Sequence, residues 1–155
     1  MAAPATAITT AVKGPVTWHW NCNGFASKKA VLQQHITQVA RKPDIIMIQE
    51  TRTDAVSLPG YRVYAKSPKV SGGRGICTLV RKGLTFIEHE VHSSKIEYTL
   101  IDVITGKKEK NITFLLNVYS SPLHLRQKFQ TLLHIASTVA RCLRGHQRGA
   151  PGMGI

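Results

Sequence analysis

The stretch that most restricts this chain is residues 16–50, where the apolar period changes twice. Val16-Thr17-Trp18-His19-Trp20-Asn21 alternates and mixes β-branched with aromatic side chains, which predicts a strand. Residues 28–41 place Leu32, Ile36, Val39 and Ala40 on one face at helical spacing, and Lys42-Pro43 ends that helix. Asp44-Ile45-Ile46-Met47-Ile48-Gln49-Glu50 follows, a short apolar run of the kind buried on both faces of a parallel sheet. Strand, helix and strand within about 35 residues make a βαβ unit with a right-handed crossover, so the chain reads as α/β.

Short strand candidates then crowd together at 61–65, 75–81, 85–91, 98–104 and 111–119. They are separated by Pro59-Gly60, Ser71-Gly72-Gly73, Lys82-Gly83 and Gly106, which predicts an antiparallel meander. A second helix is expected from Pro122, with Ser121 as its N-cap. Its apolar face would carry Leu125, Phe129, Leu132, Leu133, Ala136, Val139, Ala140 and Leu143, opposite Arg126, Lys128, His134 and Arg141. Residues 1–14 read as a disordered leader, 15–143 as one domain, and the glycine-rich 144–155 as a disordered tail.

No apolar run approaches the ~20 residues needed to span a bilayer, and the opening residues lack the basic start and apolar core of a signal peptide. Cys22, Cys77 and Cys142 are odd in number, widely spaced and without a C-x-x-C pair, which fits a reducing compartment and argues against a zinc site. A nuclear or cytoplasmic, non-secreted protein is therefore expected. Twenty-one Lys and Arg against eight Asp and Glu leave a charge of +13, which favours an anionic partner such as a phosphate backbone. The basic residues are spread from Lys13 to Arg148, unlike a polybasic membrane anchor.

Asn21, Glu50 and Tyr119 each stand at the C-terminal end of an apolar strand, where open α/β sheets place their ligands. Glu50 is the sharpest of them. A carboxylate at the end of a buried-type strand must be paired or must bind a cation. Mg²⁺ suits one carboxylate and an amide oxygen, with water completing the shell. The plainer alternative is that Glu50 caps the strand and faces solvent. Asn23 and Arg74 beside glycines equally suit turn chemistry, and a sheet-edge aromatic is the lesser alternative for Tyr119.

Four segments occur in register: Trp20-Asn21-Cys22-Asn23-Gly24; Pro43-Asp44-Ile45-Ile46-Met47-Ile48-Gln49-Glu50-Thr51; Gly73-Arg74-Gly75-Ile76-Cys77-Thr78-Leu79-Val80; and Leu116-Asn117-Val118-Tyr119-Ser120-Ser121-Pro122. Over residues 16–143 the chain resembles the endonuclease/exonuclease/phosphatase superfamily, most of all the apurinic-type endonuclease of non-LTR retrotransposons. The resemblance implies the N-terminal part of a two-sheet α/β sandwich and an Mg²⁺-dependent (Mn²⁺ possible) DNA endonuclease without a small-molecule cofactor or a membrane partner. It implies that Glu50 is the principal metal ligand, that Asn21 supports metal and scissile phosphate, and that Tyr119 orients the phosphate. Asn23, Thr51 and Arg74 would lie along the DNA strand.

The same resemblance exposes departures. The family pattern continues with a Gly-Asp-x-Asn strand, whose Asp activates water, and closes with a Ser-Asp-His segment. Neither occurs in these 155 residues, which contain no Asp after Asp102. The expectation is a truncated, inactive domain whose strands 45–48, 76–80 and 114–118 present an uncovered apolar face. A non-catalytic nucleic-acid-binding fragment, or a phosphatase or repair endonuclease of the same superfamily, are the alternatives.

Overall fold

The computed structural model describes residues 14–66, 74–89, 96–108 and 110–119, together with helical positions 126, 127, 130, 133, 134, 137 and 141. The chain divides into two compact units, residues 1–121 and 122–155. In the first, β1 (Thr17–Asn21), α1 (Phe25–Gln38) and β2 (Ile45–Gln49) form the expected unit, with β1 and β2 parallel from Thr17 opposite Ile45 to Asn21 opposite Gln49. The helix begins three residues earlier than its periodicity suggests. Gly24 at φ +107° turns the chain out of β1, and Phe25 is buried as the first helical residue. Val39 is already extended, so the helix ends before Lys42-Pro43.

The strands that follow are β3 (Tyr61–Lys66), β4 (Ile76–Arg81), β5 (Thr85–His89), β6 (Glu97–Thr105) and β7 (Asn111–Tyr119). They do not form one meander. β4 inserts antiparallel between β2 and β3 to give the mixed sheet β1-β2-β4-β3, and only β5-β6-β7 run as a meander, in a second sheet. Their side chains explain the division. Ile76 to Val80 are all buried, as a central strand requires, whereas β3 alternates exposed Arg62 and Ala65 with buried Tyr61 and Tyr64.

The two sheets face one another. Ile45, Tyr64 and Val80 of the first pack with Ile101 and Val103 of the second. The other face of the first sheet is covered by Phe25, Leu32 and Ile36 of α1 and by Val56 and Leu58 of the loop before β3. Among the described residues of the first sheet, the uncovered face expected from the missing segments is therefore not found. Ile45 and Val80 are 0% exposed beneath the second sheet, and Ile46, Ile48 and Leu79 are 0% exposed beneath α1 and the loop before β3.

Polar ties fix how the layers meet. Thr78 and Thr99 share a hydroxyl hydrogen bond of 2.7 Å, and Asn117, 2% exposed, donates its amide to the carbonyls of Cys77 (2.9 Å) and Ile48 (3.3 Å). At the opposite end of the first sheet, buried Asp44 accepts from Val16 N and from Arg81 Nε, both at 2.9 Å. This joins the start of β2 to the end of β4.

In the second unit Arg126, Gln127, Gln130, Leu133, His134, Ser137 and Arg141 are helical and exposed. The expected start at Pro122, the cap at Ser121 and the rest of the apolar face lie outside the described residues, as do residues 1–13 of the proposed leader (1–14) and the tail. Leu133 was expected on the buried face and is 54% exposed. It falls in the same stripe as Gln130, Ser137 and Arg141, one turn apart along the helix.

Candidate active site

β1 and β2 end side by side, and the ladder between them continues past their last residues. Cys22 N donates to Gln49 O (3.0 Å), Gly24 N to Glu50 O (2.8 Å) and Phe25 N to Thr51 O (2.9 Å). On the other flank Thr51 N donates to Gly75 O (3.2 Å) and Arg52 N to Arg74 O (2.8 Å). Three non-glycine residues among those described take positive φ, and all stand here: Asn23 (49°), Glu50 (56°) and Arg52 (55°). Left-handed backbone is unfavourable for Glu and Arg and persists only where surrounding bonds impose it, which is common at functional sites.

The loop delivers Glu50 to a point where other strand ends meet. Asn21 Nδ2 donates to Glu50 Oε1 at 3.1 Å, and the Tyr119 phenol lies near enough to the same carboxylate to act on its charge. Arg52 and Arg74 stand 3.6 and 3.9 Å from Oε2, close enough to act electrostatically and beyond good hydrogen-bond length. The hydrogen bond from Asn21 holds the Glu50 carboxyl below its ordinary range against the opposing effect of burial, helped by Tyr119 and the two guanidinia. Burial first, and the Glu50 charge second, push the Tyr119 phenol upward. At neutral pH this site presents an ionised carboxylate beside a protonated phenol.

Asn21, Glu50, Tyr119 and Arg74 thus come together, and Asn23 is exposed one residue beyond Cys22. Thr51 is placed otherwise. It is 2% exposed and its hydroxyl donates to Thr53 O (3.2 Å), so its side chain is buried within the loop. Two participants escape a reading of the sequence. Arg52 sits one residue beyond the matched segment. Glu97, 6% exposed, accepts from the backbone N of Arg74 and of Gly75, both at 3.0 Å. Glu97 is paired with Tyr119 across β6 and β7, so one buried carboxylate links the Arg74 turn to the Tyr119 strand. Its only signal in sequence is an acid opening an otherwise buried strand. His19 is exposed and His35 half-buried, neither within this group.

The donors at Glu50 fit a hard divalent cation. Oε2 meets the two arginines only at ion-pair distance, and Asn21 keeps its Oδ1 because Nδ2 is engaged by Glu50. One carboxylate and one amide oxygen, with water and substrate oxygens, suffice for Mg²⁺. Among the described residues no group of three or more His, Cys, Asp or Glu could hold a metal on its own.

A two-sheet α/β sandwich that gathers a carboxylate, an amide, a phenol and two guanidinia at one edge has the chemistry of a hydrolase of phosphate esters. The chain belongs to the endonuclease/exonuclease/phosphatase family, whose sequence profile matches residues 18–142. The family comprises nuclease- and phosphatase-type hydrolases that generally depend on a divalent metal. A comparison with curated proteins gives no match. No described helix is long and apolar enough to cross a membrane.

Proposed function

We propose that the chain is the DNA endonuclease part of a non-LTR retrotransposon, nicking a phosphodiester with Mg²⁺ in the nucleus or cytoplasm, and that these 155 residues alone turn over little or no substrate. The observation that carries the reading is the Glu50 carboxylate, held by Asn21 and flanked by Tyr119, Arg52 and Arg74 at the edge where β1, β2 and β7 end. Support for a nucleic-acid substrate over a small phosphate ester comes from the order of the four matched segments and from the +13 charge.

Glu50 and Asn21 would hold the metal, which supplies a Lewis acid to the phosphate. The chain's own groups do the rest. Arg74 and Arg52 attract and orient the phosphate, as planar fork donors matched to its oxygens. Tyr119, kept protonated, donates to a phosphate oxygen and favours the geometry in which charge develops there. Asn23, exposed at the turn after β1, would contact the neighbouring nucleotide. No residue corresponding to the Asp of Gly-Asp-x-Asn is present to take the proton from water, hence the low turnover of these residues by themselves.

The test pairs Mn²⁺ binding, read by electron paramagnetic resonance, with nicking of supercoiled plasmid in Mg²⁺. Parent protein should bind Mn²⁺, Glu50→Gln should lose that binding, and nicking should be weak in both. Unchanged Mn²⁺ binding by Glu50→Gln ends the metal role. Strong metal-dependent nicking by the parent ends the claim of low turnover. Release of phosphate from small monoesters without nicking makes the chain a phosphatase.

A further inference from the structure

Among the described residues, most cations at the candidate site are already paired. Around the Glu50 edge, among the described residues, the cations Lys28, Lys29, Arg52, Arg74 and Lys66, the last paired with Ile76 at the end of β3, stand with the three carboxylates Glu50, Asp54 and Glu97. Four of those cations are engaged. Lys28 Nζ donates to Cys22 O (2.6 Å), Lys29 Nζ to Ser57 Oγ (3.0 Å), and the arginines flank Glu50.

The other end of the sandwich differs. β1 and β2 start there, β4 ends there, and the β6–β7 turn lies there, since Glu97 at the head of β6 meets Gly75 at the head of β4 and both strands run away from the Glu50 edge. Arg41 and Lys42 follow α1, Arg81 and Lys82 close β4, and Lys107, Lys108 and Lys110 occupy the β6–β7 turn. All seven are exposed. The described carboxylate among them is Asp44, buried and taken up by Arg81 and Arg41. None of the five lysines has a side-chain partner among the described residues, and in the β6–β7 turn three lysines stand against the single carboxylate of Glu109 in sequence.

We infer that this end of the sandwich, opposite Glu50, is a second nucleic-acid-binding surface that grips a phosphate backbone without cleaving it. The cations come from turns of both sheets, and facing sheets stand about 10 Å apart, a spacing comparable to the ~12 Å width of a DNA major groove. Lysines without partners bind phosphates through release of counterions, which asks for no sequence-specific contact. The nine residues of β6, at roughly 3.3 Å each, put the two ends about 30 Å apart. The duplex segment lying over Glu50 is not the segment held here, so the chain would hold two stretches of nucleic acid at once. The inference stands apart from the endonuclease reading, since these lysines hold a polyanion whether or not the Glu50 edge cuts one.

The test uses the full chain and a fluorescent 20-base-pair duplex, with affinity measured by anisotropy across a salt series. Substituting Lys82, Lys107, Lys108 and Lys110 by Ala should weaken binding at least tenfold in low salt. The log–log salt slope should fall by up to about 3.6, at ~0.9 for each of four lost phosphate contacts. Acetylation footprinting of the unmodified chain gives a second reading independent of how the variant folds: the duplex should protect these four lysines. Parent-like affinity and slope in the variant, or lysines equally acetylated with and without duplex, overturn the inference. So does retention on phosphatidylserine vesicles by a chain that does not bind the duplex.

Discussion

Gly75 offers the sharpest test of how the candidate site is built. It has φ +87°, and a Cβ placed on it would overlap the Thr51 hydroxyl oxygen and press on Arg52 N at 3.4 Å. Thr51 is buried, so its side chain cannot swing clear. Gly75→Ala should therefore combine left-handed strain of about 1–2 kcal/mol with overpacking of about 1–3 kcal/mol, a loss of roughly 2–5 kcal/mol. Gly60 supplies a matched control: its φ is also +87°, and a Cβ there meets nothing within 4 Å. Gly60→Ala should lose only the strain, about 1–2 kcal/mol. Urea unfolding of both variants, each also made in a Thr51→Ala background, separates the two effects. Removing the Thr51 hydroxyl should relieve about 1–3 kcal/mol of the Gly75→Ala loss and none of the Gly60→Ala loss. An equal Gly75→Ala penalty in both backgrounds would refute the steric argument.

Asn117→Leu should destabilise by about 2–4 kcal/mol in urea, because two carbonyls at the seam between the sheets lose their donor, and a loss below ~0.5 kcal/mol would show that they find other partners. Tyr98→Phe should leave stability unchanged or raise it by about 1 kcal/mol, since the Tyr98 hydroxyl is buried without a hydrogen-bond partner among the described residues. Spectrophotometric titration of the parent against Tyr98→Phe should show one phenol ionising near 12, where burial pushes it. The Glu50 carboxyl lies below its ordinary value of 4.5, so its ionised form favours the folded state. The stability difference between parent and Glu50→Gln should hold constant above about pH 5 and shrink as pH falls through the depressed value, and a difference independent of pH would contradict this sign.

Most of the first unit was legible because its strands differ in pattern. The alternation of 16–21, the helical spacing after it and the apolar run 45–48 each specify one element, and their order specifies the parallel pairing. The place of β4 was not deduced, although the signal was present. Ile76-Cys77-Thr78-Leu79-Val80 is apolar on both faces, whereas Tyr61-Arg62-Val63-Tyr64-Ala65 carries a charge on one, so the later strand belongs inside and the earlier at the edge. Treating both as meander strands missed the second sheet, and with it the cover for the inner face. At the candidate site, Asn21, Glu50 and Tyr119 could be grouped because each ends a strand. Glu97 begins one, and its partners are backbone amides, which leave no trace in side-chain sequence.

The main-chain ladder that runs past β1 and β2 into 22–25 and 50–52 has a consequence for how activity and melting relate. Loops usually open at little free energy while the sheet beneath them stays intact. Here the amides of Cys22, Gly24, Thr51 and Arg52 are spoken for by strand-like bonds, so the loop belongs to the cooperative unit of the sheet. Their deuterium uptake should match that of β2 rather than that of the turns at Gly60 and Gly83. The Glu50 geometry then has no separate melting of its own, and heat should abolish metal affinity and the fold at one temperature.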